Sequence, residues 1–225
     1  MKLKVCGMKY VENIKQVANL QPDYLGFIFY EKSQRNFEGI IPELPKSIKK
    51  TGVFVNELPE IVVSFIEEYH LEAIQLHGDE TVEYIINLKK YIADAIFETN
   101  NQKKKSKHWK PLKEVEIIKV FSIKDEFDFS GLETYLPFVD YFLFDTKGKE
   151  RGGNGTTFNW SVLEDYPFEK PFFLSGGIGL ESVLAVKELL NTTLPIYALD
   201  VNSKFEESPG VKKLEDLKKF KSNVI

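Results

Sequence analysis

The fold is decided by the stretch Tyr141-Phe142-Leu143-Phe144-Asp145, an apolar run of strand length that ends on a carboxylate. The loop after it, Thr146-Lys147-Gly148-Lys149-Glu150-Arg151-Gly152-Gly153-Asn154-Gly155, is too rich in glycine and charge to pack as core. At the carboxyl end of a parallel strand, Asp145 would lie where α/β enzymes carry catalytic groups. A simple turn cap is the alternative, because aspartate favours turns and caps.

The composition and charge of the chain exclude several classes of function. The 225 residues carry a net charge of −4, which gives no global attraction to nucleic acid or to an anionic membrane. No window reaches the roughly 18 apolar residues of a membrane span, and the start of the chain lacks a signal-peptide pattern, so we expect a cytoplasmic protein. The single cysteine excludes an internal disulfide, and the spacing of His70, His77 and His108 indicates no metal site. We therefore expect no metal and no other cofactor.

Strand-like runs alternate with helical patterns along the whole chain, which is typical of parallel βα units. Eight strands are predicted, at residues 2–6, 24–29, 51–55, 73–76, 115–121, 141–145, 171–175 and 196–201. Helices are predicted at residues 11–20, 59–69, 79–91, 179–190 and 212–221, with Asp79 as the cap of the third, and residues 40–49 are expected to contain another despite two prolines. We expect a single domain over residues 1–225, a TIM (β/α)8 barrel with a closed parallel sheet. Alternation alone does not exclude an open doubly wound sheet.

One interval between strands is too long for the pattern. It holds an inserted basic segment at about residues 98–113, which includes the run from Lys103 to Lys110 with Trp109. A basic run beside an aromatic side chain is one pattern of nucleic-acid binding. A solvated insertion loop is the better interpretation, because surface loops absorb insertions at small thermodynamic cost.

The residues at the strand ends sample the catalytic face directly. They are strongly polar and rich in glycine, most clearly at Gly176-Gly177 after the seventh strand and at Asn202-Ser203 after the eighth. Barrels frequently bind a phosphate at these two loops, through backbone amides and a helix N-terminus. A tight turn is the alternative reading of Gly176-Gly177.

Cys6, at the end of the first strand, has two interpretations. A lone buried cysteine usually acts as a small apolar side chain. On the same rim as Asp145 it could instead act as a base beside an acid, a division of labour expected in proton-transfer chemistry. That role requires the thiolate, so the environment must lower the thiol pKa.

The strand-end motifs together resemble the phosphoribosylanthranilate isomerase family, in order and spacing, from residue 2 to about residue 210. The motifs are Lys4-Val5-Cys6-Gly7-Met8, Gly26-Phe27-Ile28-Phe29 with Ser33-Gln34-Arg35, Gly52-Val53-Phe54-Val55-Asn56, Gln75-Leu76-His77-Gly78, Phe144-Asp145-Thr146 with Gly152-Gly153-Asn154-Gly155 and Phe158-Asn159-Trp160, Leu174-Ser175-Gly176-Gly177, and Asp200-Val201-Asn202-Ser203 with Glu206 and Pro209-Gly210.

This resemblance implies the third step of tryptophan biosynthesis from chorismate, the Amadori rearrangement of N-(5-phosphoribosyl)anthranilate to 1-(2-carboxyphenylamino)-1-deoxyribulose 5-phosphate. It implies Asp145 as general acid, Cys6 as general base and Arg35 as ligand of the anthranilate carboxylate. The other substrate-binding residues that it implies are Gly7, His77, Gly153, Asn154, Gly155, Gly176, Gly177, Asn202 and Ser203.

Departures from the family pattern leave the proposed acid, base and arginine in place. They are Lys9, Asn154, Asn159 and Lys204-Phe205. Two alternatives stay open: another sugar-phosphate barrel enzyme, or a catalytically silent barrel that binds a phosphorylated metabolite. The expected partner is the small-molecule substrate alone, with no nucleic acid and no membrane, and we expect a monomer.

Overall fold

Eight parallel strands form a closed barrel in the order in which they occur along the chain, with β1 paired to both β2 and β8. The structure, a computed structural model, describes residues 1–101, 114–124, 126–146 and 160–225. The barrel strands are β1 Lys2–Val5, β2 Tyr24–Ile28, β3 Lys49–Phe54, β4 Ala73–Leu76, β5 Glu116–Ile123, β6 Tyr141–Thr146, β7 Phe172–Leu174 and β8 Ile196–Val201. The predicted closed α/β barrel is therefore confirmed.

Alternation along each strand separates two cores, because successive side chains point to opposite faces. The barrel interior near the strand starts is apolar and aromatic, with Tyr24 packed edge-on against Phe173 at 5.4 Å between ring centroids. The outward-facing side chains, such as Leu3 and Val5 of β1, join the core beneath the helices. In β6 this alternation puts Asp145 on the same inward face as Leu143, at the carboxyl end of the barrel.

Five α-helices surround the described part of the barrel. They are α1 Val11–Ala18, α2 Pro59–Tyr69, α3 Val82–Asn101, α4 Val183–Leu190 and α5 Leu214–Val224. A 3-10 turn, Leu180–Ser182, leads into α4, so the helix predicted at 179–190 is divided into two pieces. Other 3-10 segments, Phe129–Tyr135 and Trp160–Asp165, occupy the connections after β5 and β6.

The prediction of a helix within residues 40–49 is wrong. This segment is irregular, and β3 already begins at Lys49. Pro42 and Pro45 lack the amide donor that a helix interior needs, and each disfavours helical geometry in the residue before it. A turn in which the Ile48 amide donates to the Pro45 carbonyl replaces the helix.

Helix α3 differs from its prediction at both ends. It begins at Val82, and the Thr81 hydroxyl accepts a hydrogen bond from the Tyr84 amide at 3.2 Å, so Thr81 rather than Asp79 supplies the N-terminal contact. It continues to Asn101, which makes residues 98–101 of the predicted inserted segment helical. Residues 102–113, with the basic run, lie outside the described residues.

A small antiparallel hairpin, β9 Glu206–Ser208 and β10 Val211–Lys212, follows β8 and a 3-10 turn at Ser203–Phe205. Phe205 is fully buried against Phe220 of α5, with ring centroids 5.1 Å apart. This packing holds the hairpin against the carboxyl end of the barrel. No helix in the described part of the chain combines the length and apolar character that crossing a membrane requires.

Candidate active site

Cys6 lies directly after β1 and is buried at the carboxyl end of the barrel. Its amide donates to the Val201 carbonyl at 2.9 Å, which continues the pairing of β1 with β8. Gly26 of β2 makes room for the thiol, because a Cβ at that position would lie 2.7 Å from Cys6 Sγ. The site therefore requires a glycine on the neighbouring strand.

A buried ion pair lies one inward position before Cys6. Lys4 Nζ donates to Asp200 Oδ1 at 2.9 Å, and the two residues are partners in the register of β1 and β8. Burial by itself lowers the pKa of Lys4, but Asp200 and Cys6 outweigh burial, so the pKa stands above its usual value. Lys4 is therefore a charged ammonium inside the barrel.

The thiol of Cys6 lies between opposing electrostatic influences. Burial raises its pKa, Lys4 and Lys212 lower it, and Asp200 raises it further, with a net shift above the usual value. In the protein alone, the thiol is therefore the dominant form at neutral pH. The two lysines partly offset the cost of forming a thiolate at this position.

His77 and Asp145 form the second half of the rim. His77 Nε2 lies 3.5 Å from Asp145 Oδ2, and both side chains are largely buried. Gln75, the previous inward residue of β4, is within hydrogen-bond distance of His77 Nδ1 through its Nε2, at 3.2 Å. Gln75 thus orients the imidazole at Nδ1, and Nε2 faces the carboxylate.

Arg35 is held by a carboxylate rather than left open to solvent. Its Nε donates to Glu206 Oε2 at 2.9 Å and its Nη2 donates to the same oxygen at 2.7 Å. Lys212 Nζ donates to Glu206 Oε1 at 2.6 Å and to Asn202 Oδ1 at 2.7 Å. Burial lowers the pKa of Lys212 to about 8, although Glu206 partly offsets this effect.

Gly7 joins this cluster to Cys6. It has a φ of +73°, and a Cβ there would lie 2.6 Å from Asn202 Oδ1 and 2.8 Å from Arg35 Cδ. The left-handed backbone and the close approach both require glycine. Three rim loops, those after β1, β2 and β8, therefore meet at one place.

The loops after β3 and β4 are joined through Glu80. Its carboxylate accepts hydrogen bonds from the amides of Asn56 and Gly78 at 2.9–3.0 Å and from Lys119 Nζ at 3.0 Å. Glu80 and Lys119 are both almost completely buried. This network fixes the backbone immediately after His77.

The structure brings most of the described candidate residues together in two groups. Cys6, Gly7, Arg35 and Asn202 form one group, and His77 with Asp145 forms the other. Asp200 lies between them: burial raises its pKa, its partner Lys4 lowers it, and Asp145 and His77 are near enough to influence it as well. The groups share the carboxyl end of the barrel.

The remaining candidates are loop residues. Gly176 and Gly177 have φ values of +86° and +66°, a backbone region that favours glycine. Ser203 begins the 3-10 turn after β8. Gly153, Asn154 and Gly155 lie outside the described residues.

Two of the family departures have structural partners. Lys9 Nζ donates to the Gln34 carbonyl at 3.0 Å, and its side chain packs beside Gly210 of the hairpin. Lys204 Nζ pairs with Glu181 at 2.7 Å on the surface. Both lysines therefore connect neighbouring loops at the rim.

Sequence reasoning missed the charged partners of the site: Lys4, Glu80, Lys119 and Lys212. Lys4 carried a usable signal, because it stands two residues before Cys6 in a predicted strand and so shares its inward face. Lys212 carried none, since its contacts depend on the path of the hairpin.

Comparison with known proteins gives a consistent result. A family model described as N-(5'phosphoribosyl)anthranilate (PRA) isomerase matches residues 3–108 and 102–223. A curated N-(5'-phosphoribosyl)anthranilate isomerase from Parabacteroides distasonis is 38% identical over 232 residues, covering 100% of this chain and 94% of the relative.

Solved structures are similar along the whole chain. One is phosphoribosyl anthranilate isomerase in complex with reduced 1-(o-carboxyphenylamino)-1-deoxyribulose 5-phosphate, with a TM-score of 0.72, 28% identity, and coverage of 100% of this chain and 98% of that one. Another shows monomers generated from the dimeric enzyme of Thermotoga maritima, with a TM-score of 0.69, 26% identity and the same coverage.

The buried ion pair below Cys6 gives a stability prediction. We expect Lys4→Met to lower the free energy of unfolding by about 3–5 kcal/mol, because it leaves the Asp200 carboxylate buried without its cation. Lys2→Met is the matched control in the same strand. Lys2 pairs with Asp23 at 3.9 Å where both side chains are well exposed, so its loss should cost about 1 kcal/mol or less. Equal unfolding midpoints of the two variants in urea would contradict the prediction.

Proposed function

The chain belongs to the N-(5'-phosphoribosyl)anthranilate isomerase family, and we propose from this membership and from the rim geometry which side chains perform the reaction. The enzyme converts N-(5-phosphoribosyl)anthranilate to 1-(2-carboxyphenylamino)-1-deoxyribulose 5-phosphate in tryptophan biosynthesis. The observation that carries the assignment of roles is the placement of one thiol and one carboxylate, Cys6 and Asp145, on the same inward-facing rim.

Asp145 is the general acid in this proposal. It donates a proton to the ribose ring oxygen, the bond from that oxygen to C1 breaks, and the anthranilate nitrogen supplies the electron pair that forms a Schiff base. His77, 3.5 Å from the carboxylate, holds the acid in place and supports its charge after proton transfer.

Cys6 is the general base. Its thiolate removes the proton from C2 of the opened sugar, the C2 electrons move toward the Schiff base, and the resulting enolamine tautomerises to the ketone. Lys4 and Lys212 both lower the pKa of this thiol against burial, so they favour the form that the step requires. A buried, uncharged surrounding would not support the thiolate.

Arg35 binds the anthranilate carboxylate. Its Nε and Nη2 are engaged by Glu206, whereas its Nη1 makes no hydrogen bond with the residues that the structure describes. Nη1 and the second hydrogen of Nη2 together offer a planar pair of donors, which is the geometry that a carboxylate prefers. Gly7 makes room for the arginine stem, because a Cβ there would lie 2.8 Å from Arg35 Cδ.

The phosphate lies, in this proposal, at the loops after β7 and β8. Gly176 and Gly177 adopt the left-handed conformation directly after β7, where barrels frequently bind a phosphate through backbone amides, and Asn202 and Ser203 follow the adjacent strand. Gly153, Asn154 and Gly155, which lie outside the described residues, remain predicted ligands of the substrate.

We propose one barrel domain over residues 1–225, with the inserted segment at about 98–113, acting as a monomer in the cytoplasm on its small-molecule substrate alone. Pairing of β1 with β8 supports the single domain, since the two ends of the chain close one sheet. Sedimentation velocity tests the proposed monomer. Sedimentation at twice the chain mass of 26.0 kDa would contradict it.

Two substitutions test the catalytic pair. We expect Cys6→Ser and Asp145→Asn each to lower kcat by at least about a hundredfold, because a positioned acid or base typically contributes 10²–10⁴ in rate. Loss of anthranilate fluorescence, with the labile substrate generated in place, measures turnover. Lys204→Gln is the control on the same rim and should keep wild-type kcat. Near wild-type kcat in either site variant would remove that residue from the mechanism.

The raised pKa of Cys6 gives a pH prediction. Below its pKa the thiolate fraction grows about tenfold per pH unit, so we expect kcat/KM to rise from about pH 7 and to rise less steeply above about pH 8, where Lys212, whose pKa is about 8, loses the charge that favours the thiolate. The carboxylate and phosphate of the substrate are already charged in this range and contribute little. Residual activity of Cys6→Ser should lack the rise. A flat wild-type profile would show that Cys6 is not the limiting base.

A further inference from the structure

We propose that Glu206 is a positioning residue that fixes the Arg35 guanidinium for the anthranilate carboxylate and thereby sets the preference of the site for a carboxylated substrate. This inference rests on the proposed role of Arg35. It concerns the small hairpin after β8, whose first residue supplies the carboxylate.

The first observation is the geometry of the contact. Arg35 Nε lies 3.1 Å and 2.9 Å from the two Glu206 oxygens, and Nη2 lies 2.7 Å from Oε2. Such a two-point contact fixes the plane of the guanidinium as well as its position. The opposite edge is consequently held in one direction, at the rim loops where Gly7 touches the arginine stem.

The second observation is that the Glu206 carboxylate is held by several contacts besides Arg35. Its side chain is only 4% exposed, and its Oε1 accepts from Lys212 Nζ at 2.6 Å and from the Gly210 amide at 3.1 Å. Phe205, packed against Phe220 of α5, anchors the chain immediately before it. Contacts other than Arg35 therefore hold the carboxylate in place.

The third observation is the charge of the cluster. Two cations, Arg35 and Lys212, share one buried carboxylate, which leaves an excess positive charge beside the substrate site. Lys212 is held in turn through its backbone, which exchanges hydrogen bonds with the Asn13 side chain at 2.8 Å and 3.0 Å. A preassembled site with a positive excess suits an anionic group on the substrate, and the neutral analogue would leave that charge without compensation.

The test compares two ligands by calorimetry. The first is reduced 1-(o-carboxyphenylamino)-1-deoxyribulose 5-phosphate, and the second is the same compound without the carboxylate. The dissociation constant of the compound without the carboxylate, divided by that of the carboxylated compound, gives a ratio that reports recognition of the carboxylate alone. We expect Glu206→Gln to reduce this ratio by about tenfold or more, because the arginine loses its charge-assisted two-point contact. The positive charge that this substitution adds to the cluster would by itself raise the ratio, so a fall reports positioning and a rise would overturn the proposal. Glu207→Gln, an exposed neighbour on the same hairpin, should leave the ratio unchanged.

The outcomes separate the two levels of the proposal. An unchanged ratio in Arg35→Met would show that Arg35 does not bind the carboxylate, and the proposed role of that residue would fail. A reduced ratio in Arg35→Met with an unchanged ratio in Glu206→Gln would overturn the positioning role alone. Equal weakening of both ligands in Glu206→Gln would assign Glu206 to structure only and also overturn it.

A conservative variant guards against a folding defect. Glu206→Asp keeps the charge beside Lys212 but shortens the side chain by one methylene group, so it should fold and bind the carboxylated ligand with an intermediate ratio. If Glu206→Gln does not fold, Glu206→Asp tests the positioning role in its place. A wild-type ratio of dissociation constants in Glu206→Asp would contradict the need for the observed contact with Arg35.

Discussion

Charged side chains buried inside a barrel must be paired, and this constraint shapes the carboxyl end of the molecule. Lys4 and Asp200 meet there because β1 closes the sheet against β8 in the register that makes them partners. Breaking such a pair costs far more than losing an exposed one. The closure of the barrel therefore also determines the electrostatic environment of Cys6, because the ammonium of Lys4 that pairs with Asp200 also lowers the pKa of the thiol.

The two ends of the barrel divide their tasks. Near the strand starts the interior is filled by aromatic and aliphatic side chains, with Tyr141 stacked on Tyr197 at 4.4 Å and both packed around Phe173. Near the strand ends the inward positions become polar. Barrel enzymes generally separate stability and chemistry in this way, and here the same column of β6 contributes Tyr141 to the apolar end and Asp145 to the rim.

Much of this arrangement could be predicted from the sequence, because it follows local rules. The alternation of strands and helices predicts the barrel, and the position of Asp145 after an apolar run predicts the rim. Two predictions from local patterns failed. The prolines at 42 and 45 prevent the helix expected at residues 40–49, and Thr81 rather than Asp79 accepts the hydrogen bond at the start of α3. Contacts such as Arg35 with Glu206 join residues 171 positions apart, and no spacing along the chain indicates them.

The central claim is the division of labour between Cys6 and Asp145, and a primary deuterium isotope effect at C2 of the ribose tests it most directly. In Cys6→Ser, removal of the C2 proton becomes slower, so the isotope effect on kcat should increase above that of the wild type. In Asp145→Asn, ring opening becomes slower, so the effect should fall toward one. An isotope effect that fell in Cys6→Ser and rose in Asp145→Asn would contradict the assignment and exchange the two roles.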